Sequence, residues 1–85
     1  MTRSYRIQQK GGPGHATLIV GPAIYQPSLI VATIVHFDEG DPKLSPFFSS
    51  TQDAEDAKKA AEAWVRRALF ADFDITPKRE WDESA

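Results

Sequence analysis

The chain has 85 residues, the length of a single domain, and its 41% hydrophobic and 26% charged residues exclude an intrinsically disordered composition. It contains no cysteine, which excludes disulfides and thiolate metal sites, and its formal net charge of −2 disfavours a dedicated binder of double-stranded nucleic acid. A chain this short buries only roughly 60–65% of its unfolded surface, so we expect self-association to add to its stability.

The first ten residues, MTRSYRIQQK, are polar and lack the apolar core of a secretion signal, so we expect a cytoplasmic protein. Residues 16–37 contain no Asp, Glu, Lys or Arg, and a run of about 22 residues is long enough to cross a bilayer. Pro22 and Pro27 interrupt this run, with β-branched stretches on either side. The pattern therefore predicts two strands and no membrane span.

Three strands are predicted in the first half of the chain. Residues 4–9 alternate between apolar and polar side chains, as a strand with one wet face does. Two further apolar runs follow at residues 15–21 and 28–37. The loop between them, GPAIYQP, has proline near both ends, which favours a longer connection over a two-residue hairpin turn.

The glycine-rich stretch KGGPG, residues 10–14, has two interpretations: a phosphate-binding loop or a bend between strands. A phosphate-binding loop needs glycines between a strand and a helix N-terminus, within a signature such as GK[ST] or GxGxxG. Here the glycines lie between two predicted strands, and neither signature is present. The stretch therefore predicts a bend, and we expect no cofactor.

The third predicted strand is apolar on both of its faces. One face carries Ile30, Ala32 and Ile34, and the opposite face carries the side chains that we predict to form an interaction face: Leu29, Val31, Val35 and Phe37. Such a strand is normally buried on both sides, whereas a single helix covers only one side of a sheet. We therefore expect the other side to bind a second copy of the chain or another protein; the opposite set of residues is the alternative.

Residues 38–50 are predicted to be a loop because they combine charges with Gly40 and two prolines. One long helix is predicted from Ser50, as N-cap, to residue 73. Its apolar stripe repeats at spacings of three and four and consists of Ala54, Ala57, Ala61, Trp64, Val65, Ala68 and Leu69. We expect residues 1–72 to form one domain and residues 73–85 to form a polar tail, which can dock through Trp81.

Motifs for catalysis or metal binding do not emerge from the sequence. His15 and His36 are suitable metal ligands, but the paired spacings of a four-coordinate site are missing. No cysteine and no GxSxG motif is present. We therefore predict no catalytic or metal-binding residue, and a small enzyme is the least favoured interpretation.

An alternative interpretation is single-stranded nucleic-acid binding through the first strand. Basic and aromatic side chains occur together there, at Arg3, Tyr5, Arg6 and Lys10. A sheet surface that combines such residues can stack bases and hold phosphates. Arg6 and Tyr5 alternate to opposite faces, however, and charges on an edge strand also discourage aggregation.

The order of three strands followed by a helix, together with the alternation at Tyr5 and Ile7 and the helix start at residues 50–57, resembles small uncharacterised bacterial proteins of β-β-β-α layout. Trp64 belongs to the same pattern, and the resemblance covers residues 4–70. It implies a fold and no activity. Double-stranded-RNA-binding domains share the order, but their last helix begins with basic residues, whereas this one begins with acidic residues.

The sequence thus predicts an α+β fold: a three-stranded antiparallel sheet with one long C-terminal helix packed on one face. The predicted function is that of a small non-catalytic protein-interaction or regulatory module that forms a homodimer, or binds another protein, through its sheet surface.

Overall fold

The computed structural model describes residues 2–38, 40–51 and 53–78. Within them, six strands form one antiparallel sheet and one helix packs on it. The elements, in chain order, are β1 (Arg3–Gln9), β2 (His15–Pro22), β3 (Ile30–Asp38), β4 (Asp41–Leu44), β5 (Phe48–Ser50), α1 (Ala54–Ala68) and β6 (Phe73–Pro77). The strand order is β4-β3-β2-β1-β6, and β5 also pairs with β3.

The predicted fold class is wrong. The first three strands lie where the sequence places them, but β4, β5 and β6 enlarge the sheet, so that the described chain is mostly β. The helix is also shorter than predicted, and it is not C-terminal because β6 follows it. Residues 73–77, which the sequence analysis assigns to a polar tail, pair with β1, and Trp81 lies outside the described residues.

The glycine-rich stretch is a bend between β1 and β2, as predicted. The amide of Gln9 donates to the carbonyl of Gly14 at 2.8 Å, and the Gly14 amide donates to Oε1 of Gln9 at 3.1 Å. Gly11 has φ of +75°, a left-handed conformation that glycine adopts without steric cost. The two strands then pair from Gln8 opposite His15 to Arg3 opposite Val20.

The predicted loop over residues 38–50 is the largest error, because it contains β4 and β5. Both strands pair with β3, Leu44 opposite Val35 and Phe48 opposite Ala32. Between these two pairs, β3 has two residues (33 and 34), whereas the other segment has three (45–47). One extra residue is therefore inserted between them, as in a β-bulge. Proline is tolerated here because edge strands and bulges do not need every amide for the sheet.

Ser45 completes the hydrogen bonding at this bulge. Its amide donates to the carbonyl of Ile34 at 2.9 Å, and its Oγ accepts from the amide of Ile34 at 2.9 Å. The hydroxyl also donates to the carbonyl of Pro46 at 2.8 Å. At the bulge, the amide of Ile34 has no backbone carbonyl opposite it, and the hydroxyl oxygen of Ser45 accepts its hydrogen bond instead.

The helix begins three residues later than predicted. Ser50 belongs to β5, and Asp53 is the N-cap, with its Oδ1 accepting from the amide of Asp56 at 2.9 Å. The buried residues of α1 are Ala57, Ala61 and Val65. They pack on the buried sheet residues, which are Ile7, Ala16, Leu18, Val20, Ala32, Ile34 and Phe73. The small helix side chains allow a close approach, so one face of the sheet becomes the core.

Candidate functional site

The face of the sheet that is turned away from α1, here called the outer face, carries the second set of β3 side chains. Strand pairing aligns Val31 with Gly21 and Ser49, Thr33 with Ile19, and Val35 with Thr17 and Leu44. Side chains alternate along a strand, so the side chains of these residues lie on the other face of the sheet from the core residues Ala32 and Ile34. The centre of the outer face therefore carries the aliphatic side chains of Val31, Val35 and Ile19, with threonines at positions 17 and 33 between them.

A groove of about 440 Å³ opens at the end of the outer face where β3 begins. Ile19 and Val31 of the sheet, Leu29 at the end of the preceding loop, and Phe47 of the bulge are among the lining residues. Asp, Glu, Lys, Arg and His are all absent from its lining, as far as the described residues show. An uncharged concave surface of this kind selects an apolar occupant.

The connection between β2 and β3 forms one wall of the groove and projects two large side chains. It is held by hydrogen bonds from the Ala23 amide to the Leu29 carbonyl at 2.8 Å and from the Leu29 amide to the Gln26 carbonyl at 2.9 Å. Ile24 is 100% exposed and Tyr25 is 81% exposed. The loop thus has local order, yet its apolar side chains point into solvent.

The residues Leu29, Val31, Val35 and Phe37, with Leu44 beside them on β4, are here called the apolar strip, which runs from the groove to the far end of β3. Phe37 and Leu44 are 56% and 64% exposed, and the ring of His15 stacks on Phe37 with centroids 6.0 Å apart. Leu44 lies opposite Val35 on β4. Together with the groove, these residues give the outer face exposed apolar side chains at both ends of β3.

The structure places all four residues of the predicted interaction face on this side of the sheet. Val31, Val35 and Phe37 belong to the outer face by strand pairing, and Leu29 lines the groove together with Val31. The opposite set, Ile30, Ala32 and Ile34, faces the helix, since the last two are fully buried in the core.

Sequence reasoning did not identify Ile24, Tyr25, Leu44 and Phe47 as site residues. The available signal was the presence of large apolar side chains in the proline-containing segments GPAIYQP and DPKLSPFF. Loops normally carry small polar residues, so an apolar pair in a loop indicates a surface with a role.

The four candidate nucleic-acid contacts do not form one surface. Tyr5 lies on the helix side, with Nζ of Lys58 5.1 Å from its ring centre, whereas Arg6 lies opposite Thr17 on the outer face. Arg3 lies opposite Val20, on the helix side. Nζ of Lys10 is 3.8 Å from Oδ1 of Asp72 and 3.6 Å from Oδ1 of Asp74, which offsets its charge.

The two histidines are separated by the sheet. His15 lies against Phe37 on the outer face, and His36 lies on the helix side with its ring centre 5.6 Å from that of Trp64. Among the described residues, no three His, Cys, Asp or Glu side chains are grouped closely enough to hold a metal ion.

No family model, curated protein or solved structure matches the chain. Within residues 2–38, 40–51 and 53–78, no helix has the length and apolar character needed to cross a bilayer.

Proposed function

We propose that the chain is a small non-catalytic protein-interaction module whose binding surface is the outer face. The observation that carries this proposal is the distribution of exposed apolar side chains. Within the described part of the chain, the large hydrophobic residues that are exposed lie on the outer face or next to it: Ile24, Tyr25, Phe37, Leu44 and Phe47. Large apolar side chains that are exposed together on one face of a protein mark interaction sites.

The energetic argument follows from these exposures. Full burial of a large aliphatic or aromatic side chain is worth about 1.5–3 kcal/mol. Ile24 and Tyr25 gain almost nothing from the fold, because they are 100% and 81% exposed. Covering only these two residues would contribute about 3–6 kcal/mol towards binding before the cost of association is subtracted.

The shape of the surface favours a protein as the occupant. The groove is open, and the apolar strip extends beyond it along β3 to Phe37 and Leu44. With β3 rising about 3.4 Å per residue, the eight steps from Leu29 to Phe37 span about 27 Å. A small ligand would fill the groove and leave the far end exposed, whereas another protein surface can cover the whole length.

Binding through the face is favoured over binding through the edges of the sheet. The edge formed by β4 and β5 carries Pro42, Lys43 and the bulge at Ser45, and β6 is a five-residue strand that contains Asp74 and Pro77. Short strands, charges, prolines and bulges all weaken edge-to-edge pairing.

Site-specific photocrosslinking tests the proposal. A benzophenone amino acid is placed at position 47 in the groove and, as control, at position 59 on the exposed side of α1, in cells that make the protein. We expect discrete protein adducts from position 47, whether with the same chain or with another one, and none from position 59. Adducts from neither position, or the same adducts from both, would overturn the proposal.

A further inference from the structure

Resting on the proposed function, we infer that the partner of the outer face is a second copy of this chain, bound outer face to outer face about a two-fold axis. A two-fold interface requires one patch that is complementary to itself. The outer face combines an apolar groove with projecting apolar side chains, at Ile24 and Tyr25 and at Phe37 and Leu44. Each copy can therefore supply both the concave and the projecting parts.

Charge supports a partner of the same sequence. The chain carries a net charge of −2, so two copies repel one another in general. Among the described residues, the groove lining contains no Asp, Glu, Lys, Arg or His, so two copies can meet through this surface without bringing like charges together. The groove offers no charged side chain with which it could select a partner of different sequence by charge complementarity.

The surroundings of the strip match the usual arrangement of an interface, in which a polar rim encloses an apolar centre. Arg6 lies on the outer face of β1, opposite Thr17, and Asp74 lies opposite Gln8 on the neighbouring strand β6. These opposite charges lie to one side of the strip. In a two-fold pair, they can face groups of the other copy while remaining accessible to water.

The area of the outer face is close to what a stable dimer needs. The six strands contain 36 residues in all, which at about 4.8 Å between strands and about 3.4 Å per residue give a face on the order of 600 Å² before the projecting loop is added. A stable interface of standard size buries about 800 Å² on each partner. Two outer faces packed together would form a sandwich of aligned sheets, in which Val31, Val35 and Ile19 of both copies become buried.

Sedimentation equilibrium of the purified 85-residue chain tests the inference. We expect the wild type to be dimeric at tens of micromolar and Ile24→Glu to be monomeric at the same concentration. Because each dimer contains Ile24 twice, we expect Kd to rise at least about 100-fold. Ile24 is 100% exposed, so its substitution cannot disturb the folded monomer, and circular dichroism of the diluted protein verifies this.

Two further variants complete the design. Leu44→Glu places the same charge at the far end of the strip and should also weaken the dimer. Ala60→Glu makes the same change of charge on the exposed side of α1 and should leave Kd unchanged. A dimer that survives both Ile24→Glu and Leu44→Glu, or one that Ala60→Glu disrupts equally, would overturn the outer-face arrangement.

A monomeric wild type at 200 µM (about ten times the expected working range) would overturn the second copy as partner. Photocrosslinking at position 47, on a mixture of ¹⁴N- and ¹⁵N-labelled chains, then identifies what lies on the groove. Adducts within one chain would identify its own residues as the occupant. If position 47 forms adducts with a different protein in cells, the chain remains an interaction module but its partner is not a second copy. If no adducts form with the purified chain or in cells, both the interaction module and the dimer are refuted.

Discussion

Replacing Ser45 with alanine tests how the bulge between β4 and β5 is held together. The Oγ of Ser45 is the acceptor for the amide of Ile34 at 2.9 Å, in a residue that is only 6% exposed. Ser45→Ala leaves this buried amide without its acceptor, and an unsatisfied buried amide costs about 1–3 kcal/mol. The lost donor to the Pro46 carbonyl, 2.8 Å away, adds less because that hydrogen bond is only partly buried.

Urea and thermal denaturation measure the effect at one fixed protein concentration, since association would shift the apparent stability. For a domain of this size, 1–3 kcal/mol corresponds to a fall in Tm of about 4–20 °C. Ser28→Ala, in the exposed loop before β3, is the matched control and should change stability by less than about 0.5 kcal/mol.

Amide exchange provides an independent test at the atom concerned. In Ser45→Ala, the amide of Ile34 should exchange at least about fivefold faster relative to the core amides of β2, because 1.4 kcal/mol is a factor of ten and the expected cost is at least about 1 kcal/mol. An alanine variant within 0.5 kcal/mol of the wild type, with the exchange of Ile34 unchanged, would refute the role of the hydroxyl.

Further predictions concern the cap, the core, the surface charges and the bend. Asp53→Ala removes the acceptor of the Asp56 amide and should cost about 0.5–2 kcal/mol in urea denaturation, whereas Asp53→Asn should retain most of the stability. Val65→Ala empties a fully buried position and should cost about 2 kcal/mol by the same measurement; a cost below 0.5 kcal/mol would contradict its place in the core. Lys10→Ala removes two exposed ion pairs and should lower stability by less than about 0.5 kcal/mol, with no dependence on salt beyond that margin. Gly11→Ala should cost about 1 kcal/mol because of the positive φ, and Gly11→Asn should cost clearly less; equal losses in the two melts would argue against a left-handed residue.

The proposed interaction surface could be predicted in part from the sequence. The two apolar faces of β3 are a local property of residues 29–37, so Val31, Val35 and Phe37 could be assigned to one side of the sheet by alternation alone. Which side faces the helix depends on packing, because both sides have the hydrophobicity of a core. Ile24 and Phe47 are large apolar residues in loop segments, which is a signal in the sequence, but only the fold shows that they line one groove.

Several elements could be predicted from the local sequence alone. The bend at residues 10–14 follows from the conformational freedom of glycine, and the helix follows from a stripe whose alanines and Val65 repeat at helical spacing. The start of the helix was misjudged because Ser50 and Asp53 are both good N-caps. Pairing of Ser50 with Ile30 assigns the serine to β5 and leaves the cap to Asp53.

Strands β4, β5 and β6 were decided by the tertiary structure. Residues 41–44, DPKL, contain no alternation that marks a strand, and their β structure exists because the edge of β3 offers backbone donors and acceptors. In the same way, β6 becomes a strand because β1 has a free edge beside it and Ile75 can lie opposite Ile7. The sequence by itself determined where the chain bends, where it coils into a helix and which strand is apolar on both sides. The backbone hydrogen bonding of neighbouring strands, which no local pattern encodes, decided the size of the sheet and left one apolar face turned away from the helix.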